Sequence, residues 1–214
     1  MRRTRPGWWW RRRRGLLAAL LALAPVLALV VMPAARAGEL PFPVRRPGGA
    51  VLRTAGGPAP SSYPYRVGPA PALDAYGFVI GQCTSFVAWW LNRRGVPFGV
   101  ITVGPRGAGW FLNASSWDAA ARAAGFAVGP RPVVGAVAQW RAGERSPATG
   151  DGGDPRIDVA GDTGHVAVVV RVLPDGRAEW LEQGFAGRPA LHRGTGFAPR
   201  YLYLGVTPPA GRPS

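Results

Sequence analysis

The stretch that most narrows the possible folds lies late in the chain. Residues 165–172 (His-Val-Ala-Val-Val-Val-Arg-Val) and 177–183 (Arg-Ala-Glu-Trp-Leu-Glu-Gln) are rich in β-branched and aromatic side chains, and Pro174-Asp175-Gly176 stands between them. Such runs around a turn tripeptide predict an antiparallel hairpin. Two strands alone are marginal in water, so the hairpin demands further layers. Pro132-Val133-Val134-Gly135 leading into residues 136–140, and residues 197–206 with Tyr201 and Tyr203 alternating, read as additional strands. Upstream the pattern is helical and short. Phe86/Trp90 and Val87/Leu91 sit four apart in residues 84–92, with Gly95 placed to stop the run. Residues 117–124 follow a capping-box-like Ser115-x-x-Asp118 and end at Gly125. Short helices packed on a later antiparallel sheet define an α+β fold. The helix tryptophans are read as core before sugar platforms.

Charge divides the chain. All 26 basic residues are arginine and the formal net charge is +15. Seven arginines fall within residues 2–14, and residues 16–32 are almost wholly apolar, followed by Ala35-Arg36-Ala37. A basic segment, an apolar run and a small-residue site make the layout of a secretory signal peptide. The alternative is an uncleaved membrane anchor, for which 17 apolar residues interrupted by Pro25 are short. Cleavage before Gly38 leaves 18 arginines against 11 acids, a balance of +7, which weakens a nucleic-acid reading and suits an anionic surface. Arg13-Arg14 loosely resembles a twin-arginine signal. The expected organisation is a signal peptide over 1–37, a Pro/Gly-rich linker over 38–62, a globular domain over 63–207 and a tail over 208–214. A secreted monomer is expected, touching the membrane only through its leader.

Cys83 is the only cysteine, so no intramolecular disulfide can form and an exported chain carries a free thiol. It follows Gly81-Gln82 where the first helix begins. Unsatisfied N–H groups and the helix dipole favour thiolate there. A small buried hydrophobe is the bland reading of the same residue. His165 opens the hairpin and Glu182 lies near its end. With a hairpin loop of two or four residues, Ala167 faces Glu182 and His165 faces Gly184. His165, Ala167, Val169 and Arg171 then share a face with Glu182, roughly 7–8 Å from His165 along the diagonal. A three-residue loop slips the register by one and brings Gln183 to the His165 side instead, and a bulge alters the count again. In the even register Cys83 is a candidate nucleophile, His165 the base and Glu182 the group that orients the imidazole. The Cys83 backbone N–H, with Gln82 as a second donor, is placed for an oxyanion. His192, in an Arg/Gly-rich segment, is read as a surface residue. Residues 141–164 read as a polar Gly-rich loop. Its Asp151, Asp154, Asp158 and Asp162 lack the EF-hand spacing and are read as solvated. Neither metal nor cofactor is expected.

These residues resemble the CHAP family, the cysteine, histidine-dependent amidohydrolases/peptidases. The resemblance runs from about residue 65 to 206 and rests on Tyr76-Gly77-Phe78, Gly81-Gln82-Cys83-Thr84-Ser85-Phe86, Pro132-Val133-Val134-Gly135, Gly164-His165-Val166-Ala167 and Glu182-Gln183. It implies a papain-like fold and cleavage of peptidoglycan at a stem-peptide, cross-bridge or muramoyl–alanine amide bond. It also implies Cys83 as nucleophile, His165 as base and Glu182 as orienting carboxylate. Family members commonly carry an asparagine two or three residues after that glutamate. Here Gly184 and Phe185 occupy those positions, so the fourth polar member is either missing or replaced by Gln183. The departure motivates an alternative, a non-catalytic wall-binding module of the same fold.

Overall fold

The computed structural model describes residues 44–45, 62–65, 72–149, 155–184 and 190–210, all within the compact unit Leu40–Ser214. The expected signal peptide lies outside the described residues, as does most of the linker.

Helix α1 spans Cys83–Arg93. Eight of its residues are buried, Ser85, Phe86, Val87, Ala88 and Leu91 completely, as suits a helix that is apolar on most sides. It stops where the sequence places a glycine. Gly95 adopts φ +80°, its N–H donates to Asn92 O and the Val96 N–H donates to Leu91 O. That pair of bonds is a Schellman stop.

A small sheet follows, built from β1 (Val44–Arg45), β2 (Ile101–Gly104) and β3 (Gly107–Trp110), with β1 parallel to β2. The expected linker thus donates a short strand, and Gly109-Trp110 belongs to a hairpin rather than a loop. Gly-Ala-Gly-Trp offers no apolar alternation, and one glycine on each strand of the β2–β3 hairpin admits a helix at close range. A Cβ on Gly104 would stand 2.4 Å from Ala124 O, and one on Gly109 would stand 2.6 Å from Ala120 O. The helix they admit is α2, Trp117–Ala124, closed by Gly125 in the left-handed conformation. The expected capping box does not form. A 3-10 turn at Ala114–Ser116 comes first, Ser116 is the cap residue and it makes no side-chain capping bond. Asp118 is drawn away by stronger, charge-assisted partners. It pairs with Arg141 (Nη2 to Oδ2, 2.5 Å) and accepts from Gln139 (3.3 Å).

The remainder is strand: β4 (Val128–Gly129), β5 (Val137–Trp140), β6 (Arg145–Thr149), β7 (Pro155–Val159), β8 (His165–Val172), β9 (Ala178–Gln183), β10 (Leu191–Gly196) and β11 (Arg200–Leu202). Six of these make the main sheet in the order β10-β9-β8-β5-β11-β4, every pair antiparallel. Val137, Val166, Val168, Leu181 and Leu202 join the core that holds α1. The other face packs Trp140, Trp180 and Tyr201 against Ala136, Ala138, Ala167, Ala178 and Val169. Burial on both faces explains why β8 reads as a continuous apolar run. Small residues on the second face leave room for the large rings.

Three expectations need correction. The polar loop at 141–164 contains the β6–β7 hairpin, whose pairing is made by backbone groups and leaves no apolar alternation to read. Asp158 sits on β7 and Asp162 is exposed, while Asp151 and Asp154 lie outside the described residues. The last strand is confined to Arg200–Leu202, with Phe197 left exposed. Finally, β10 forms from the Arg/Gly-rich segment, held by six register pairs to β9.

Candidate active site

The β8–β9 register decides which side chains meet. Leu173 N–H donates to Arg177 O, closing a three-residue loop over Pro174-Asp175-Gly176, with Gly176 at φ +84°. An odd loop alone would send Glu182 away from His165. Val172 pairs with Ala178 and Arg171 with Glu179, but Val169 pairs with Trp180 and Val168 with Leu181. Val170 is therefore an extra, bulged residue that resets the count, so Glu182 falls on the His165 face. The same bulge moves Arg171 to the opposite face, where it pairs with Glu179 at 2.5 Å. Loop and bulge have cancelling effects, and the even register holds where chemistry needs it.

His165 is set by its neighbour. Gly164 has φ +73°, and a Cβ there would lie 2.5 Å from Ser115 N and 2.7 Å from Trp140 O. Only glycine fits a left-handed turn so close to the 3-10 segment. The Ser115 N–H donates to Thr163 O at 2.8 Å and locks that approach. The imidazole is 2% exposed and Glu182 4%. His165 Nε2 meets Glu182 Oε2 at 3.1 Å, which leaves Nδ1 to the thiol.

Cys83 is the first residue of α1, delivered by a turn with Gly81 at φ +81° and an extended Gln82. It is 8% exposed and lines an open cleft of about 360 Å³ with Gln82, Val79, Leu112, Asn113 and Thr163. Burial pushes the thiol up, but the His165 charge and hydrogen bond, with the Val166 and Thr84 N–H groups, outweigh it and hold the thiol below its ordinary value. Burial also pushes the imidazole down. The Cys83 charge and hydrogen bond, then those of Glu182, reverse this and raise His165 to about 9. The arrangement supports a thiolate–imidazolium pair beside an open cleft.

The supporting residues differ from expectation. The Gln82 backbone N–H donates to Val79 O at 3.3 Å, so only its side-chain amide is left to serve an oxyanion. Gln183 is buried, and strand alternation places it on the face opposite Glu182. Gly184, at φ +73°, packs its backbone against the start of α1, where a Cβ would lie 3.3 Å from Gly81 O and 3.5 Å from Cys83 N. His192 is not a plain surface residue. It pairs across the strands with Glu182 and is partly buried, a placement that depends on β10. The residue that sequence reasoning missed is Trp180, whose Nε1 donates to Glu182 Oε2 at 2.8 Å. Its signal was present in Trp180-x-Glu182, a spacing of two on a strand that puts both side chains on one face.

The helices followed by an antiparallel sheet, with cysteine at a helix start and histidine on a strand, make a papain-like α+β fold. Residues 73–184 match the model of the CHAP domain, and the chain belongs to that family. It is 33% identical over 112 residues to the N-acetylmuramoyl-L-alanine amidase sle1 of Staphylococcus aureus (strain USA300), a match covering 52% of this chain and 25% of the relative. A Streptococcus mutans serotype c protein, named as a hydrolase, is 30% identical over 108 residues, covering 50% of this chain and 36% of its own. The matches therefore span about a quarter to a third of these relatives. A crystal structure of an N-acetylmuramoyl-L-alanine amidase from Staphylococcus aureus aligns with TM-score 0.42 and 22% identity over 58% of this chain and 30% of its own. Among the described residues no helix is long and apolar enough to cross a membrane, and no group of three acidic, histidine or cysteine side chains could hold a metal ion.

Proposed function

We propose that this protein is an exported, cysteine-dependent hydrolase that cleaves an amide bond of peptidoglycan, with Cys83 as nucleophile, His165 as acid and base, and Glu182 as the orienting carboxylate. The observation that carries the reading is the buried His165–Glu182 contact at 3.1 Å beside a lowered thiol that lines an open cleft. The Cys83 thiolate attacks the amide carbonyl carbon, and the developing oxyanion lies toward the Cys83 N–H and the Gln82 side chain. The C–N bond breaks as imidazolium gives its proton to the leaving nitrogen. Water, deprotonated by His165, attacks the thioester, and the C–S bond breaks to regenerate the thiolate. The relatives' names support a muramoyl–alanine bond, and the cleft, with Val79, Leu112 and Ala114 in its wall and no acidic or basic side chain among the described residues lining it, suits the small apolar residues of a stem peptide. Export is supported by the basic and apolar N-terminal segments.

Mature protein is expected to release new amino termini from purified peptidoglycan, identified by mass spectrometry of the fragments. Cys83→Ala should abolish release. Cleavage that survives the substitution overturns the mechanism. The second reading, a wall-binding module without turnover, draws on Gly184 standing in an expected asparagine position. It requires sedimentation with cell walls unchanged by Cys83→Ala, no released fragments and a thiol that alkylates slowly near neutral pH.

A further inference from the structure

We infer that Trp180 is a positioning residue for the cysteine–histidine–glutamate set, its indole N–H holding the Glu182 carboxylate in the orientation that His165 requires, and that Gly194 exists to seat that indole. The inference deepens the proposed function and rests on it for its kinetic part alone.

The geometry is specific. One oxygen, Glu182 Oε2, accepts from both His165 Nε2 at 3.1 Å and Trp180 Nε1 at 2.8 Å. All three residues are buried, so water does not compete for the carboxylate. Two donors on one oxygen fix the carboxylate's rotation more tightly than one, and hydrogen bonds to a charged acceptor are the strong kind. Trp180 faces Gly194 across the β9–β10 ladder. A Cβ on Gly194 would stand 2.2 Å from Trp180 Nε1 and 2.5 Å from Cε2. The indole nitrogen thus occupies the space that any other residue at 194 would fill. On the other side Trp140 lies 5.1 Å from the Trp180 ring and 5.7 Å from the His165 ring. The two indoles wall the imidazole–carboxylate contact. A residue that only filled the core would not need its N–H aimed at the carboxylate.

Loss of the indole donor releases Glu182 and weakens its hold on the imidazolium. His165 then loses part of what raises it to about 9, and the thiol loses part of what lowers it. The thiolate–imidazolium window narrows from both sides. Among the described residues, the titratable groups facing Glu182 are His165 from β8 and His192 from β10, with Cys83 of α1 beyond His165. None of these changes in the test.

Trp180→Phe keeps most of the ring and removes only the donor, while Gly194→Ala keeps the indole and its N–H but displaces them. Both should lower kcat on peptidoglycan about tenfold, with KM within about twofold, as loss of one charge-assisted hydrogen bond implies. The alkaline limb of kcat/KM should move down and the pH profile of Cys83 alkylation should move up. The alkylation profile needs no substrate, so it decides the inference even if the wild-type protein cleaves nothing. Unchanged profiles in folded Trp180→Phe overturn it and leave Trp180 as packing. If neither variant folds, the indole N–H resonance of Trp180 in wild-type protein decides. It should shift with pH at the midpoint of the alkylation profile, and a resonance indifferent to pH overturns the inference.

Discussion

At the scale of single residues, the site is a balance between burial and pairing. Burial alone would leave Cys83 a thiol and His165 a neutral imidazole, because a low-dielectric site disfavours each charge separately. Their mutual attraction, with Glu182 behind, reverses both directions. The sign of the pH dependence follows. Leaving-nitrogen protonation needs imidazolium, so activity should fall as pH rises through about 9, where His165 loses its proton. On the acid side the fall should come below the range of an ordinary thiol, because Cys83 is lowered. Glu182→Gln keeps the shape and removes the charge. It should cut kcat about tenfold or more and move the alkaline limb down, measured as a pH–rate profile of wild type and variant side by side. Cys83 and His165 could be singled out as candidates in the sequence because each has a recognisable local context, a helix start and a strand start, whereas Glu182 depended on a register the sequence left open. His192 was not legible, because its context is a strand that the Arg/Gly-rich segment does not advertise.

At the scale of elements, glycines and a bulge aim the side chains. Gly95 and Gly164 both have positive φ, but only one has neighbours in the way. A Cβ on Gly95 meets nothing within 4 Å, whereas one on Gly164 meets the Ser115 backbone at 2.5 Å. Gly95→Ala should therefore cost about 1–2 kcal/mol of stability, the strain of a left-handed residue, and leave turnover intact. Gly164→Ala adds a backbone clash next to His165 and should lose activity as well as stability. Thermal melts paired with peptidoglycan turnover separate the two, and equal effects on turnover would contradict this division. The hairpin was legible as a hairpin, from β-branched runs around Pro174-Asp175-Gly176. Its register was not, since a three-residue loop and a bulge at Val170 each shift the count by one and only together restore it.

At the scale of the whole molecule, the described fold brings together residues separated by nearly half the chain, Cys83 on a helix with His165 and Glu182 on adjacent strands. The mature chain that the proposed cleavage leaves carries a balance of +7. Binding to anionic cell walls should weaken as ionic strength rises, because exposed charges are screened beyond about 8–10 Å at moderate salt. A pelleting assay across a salt series checks this, and binding insensitive to salt would remove charge from the account. The sequence alone determined the α+β class and the two helices, and it offered Cys83 and His165 as candidates, because periodicity and residue chemistry are local properties. Only the tertiary structure decided that Glu182 and not Gln183 faces the imidazole, that Trp180 shares that carboxylate, and that β10 exists beside it. Those depend on strand register and on contacts between distant segments, where a shift of one residue reverses a face and no local pattern records which choice was made.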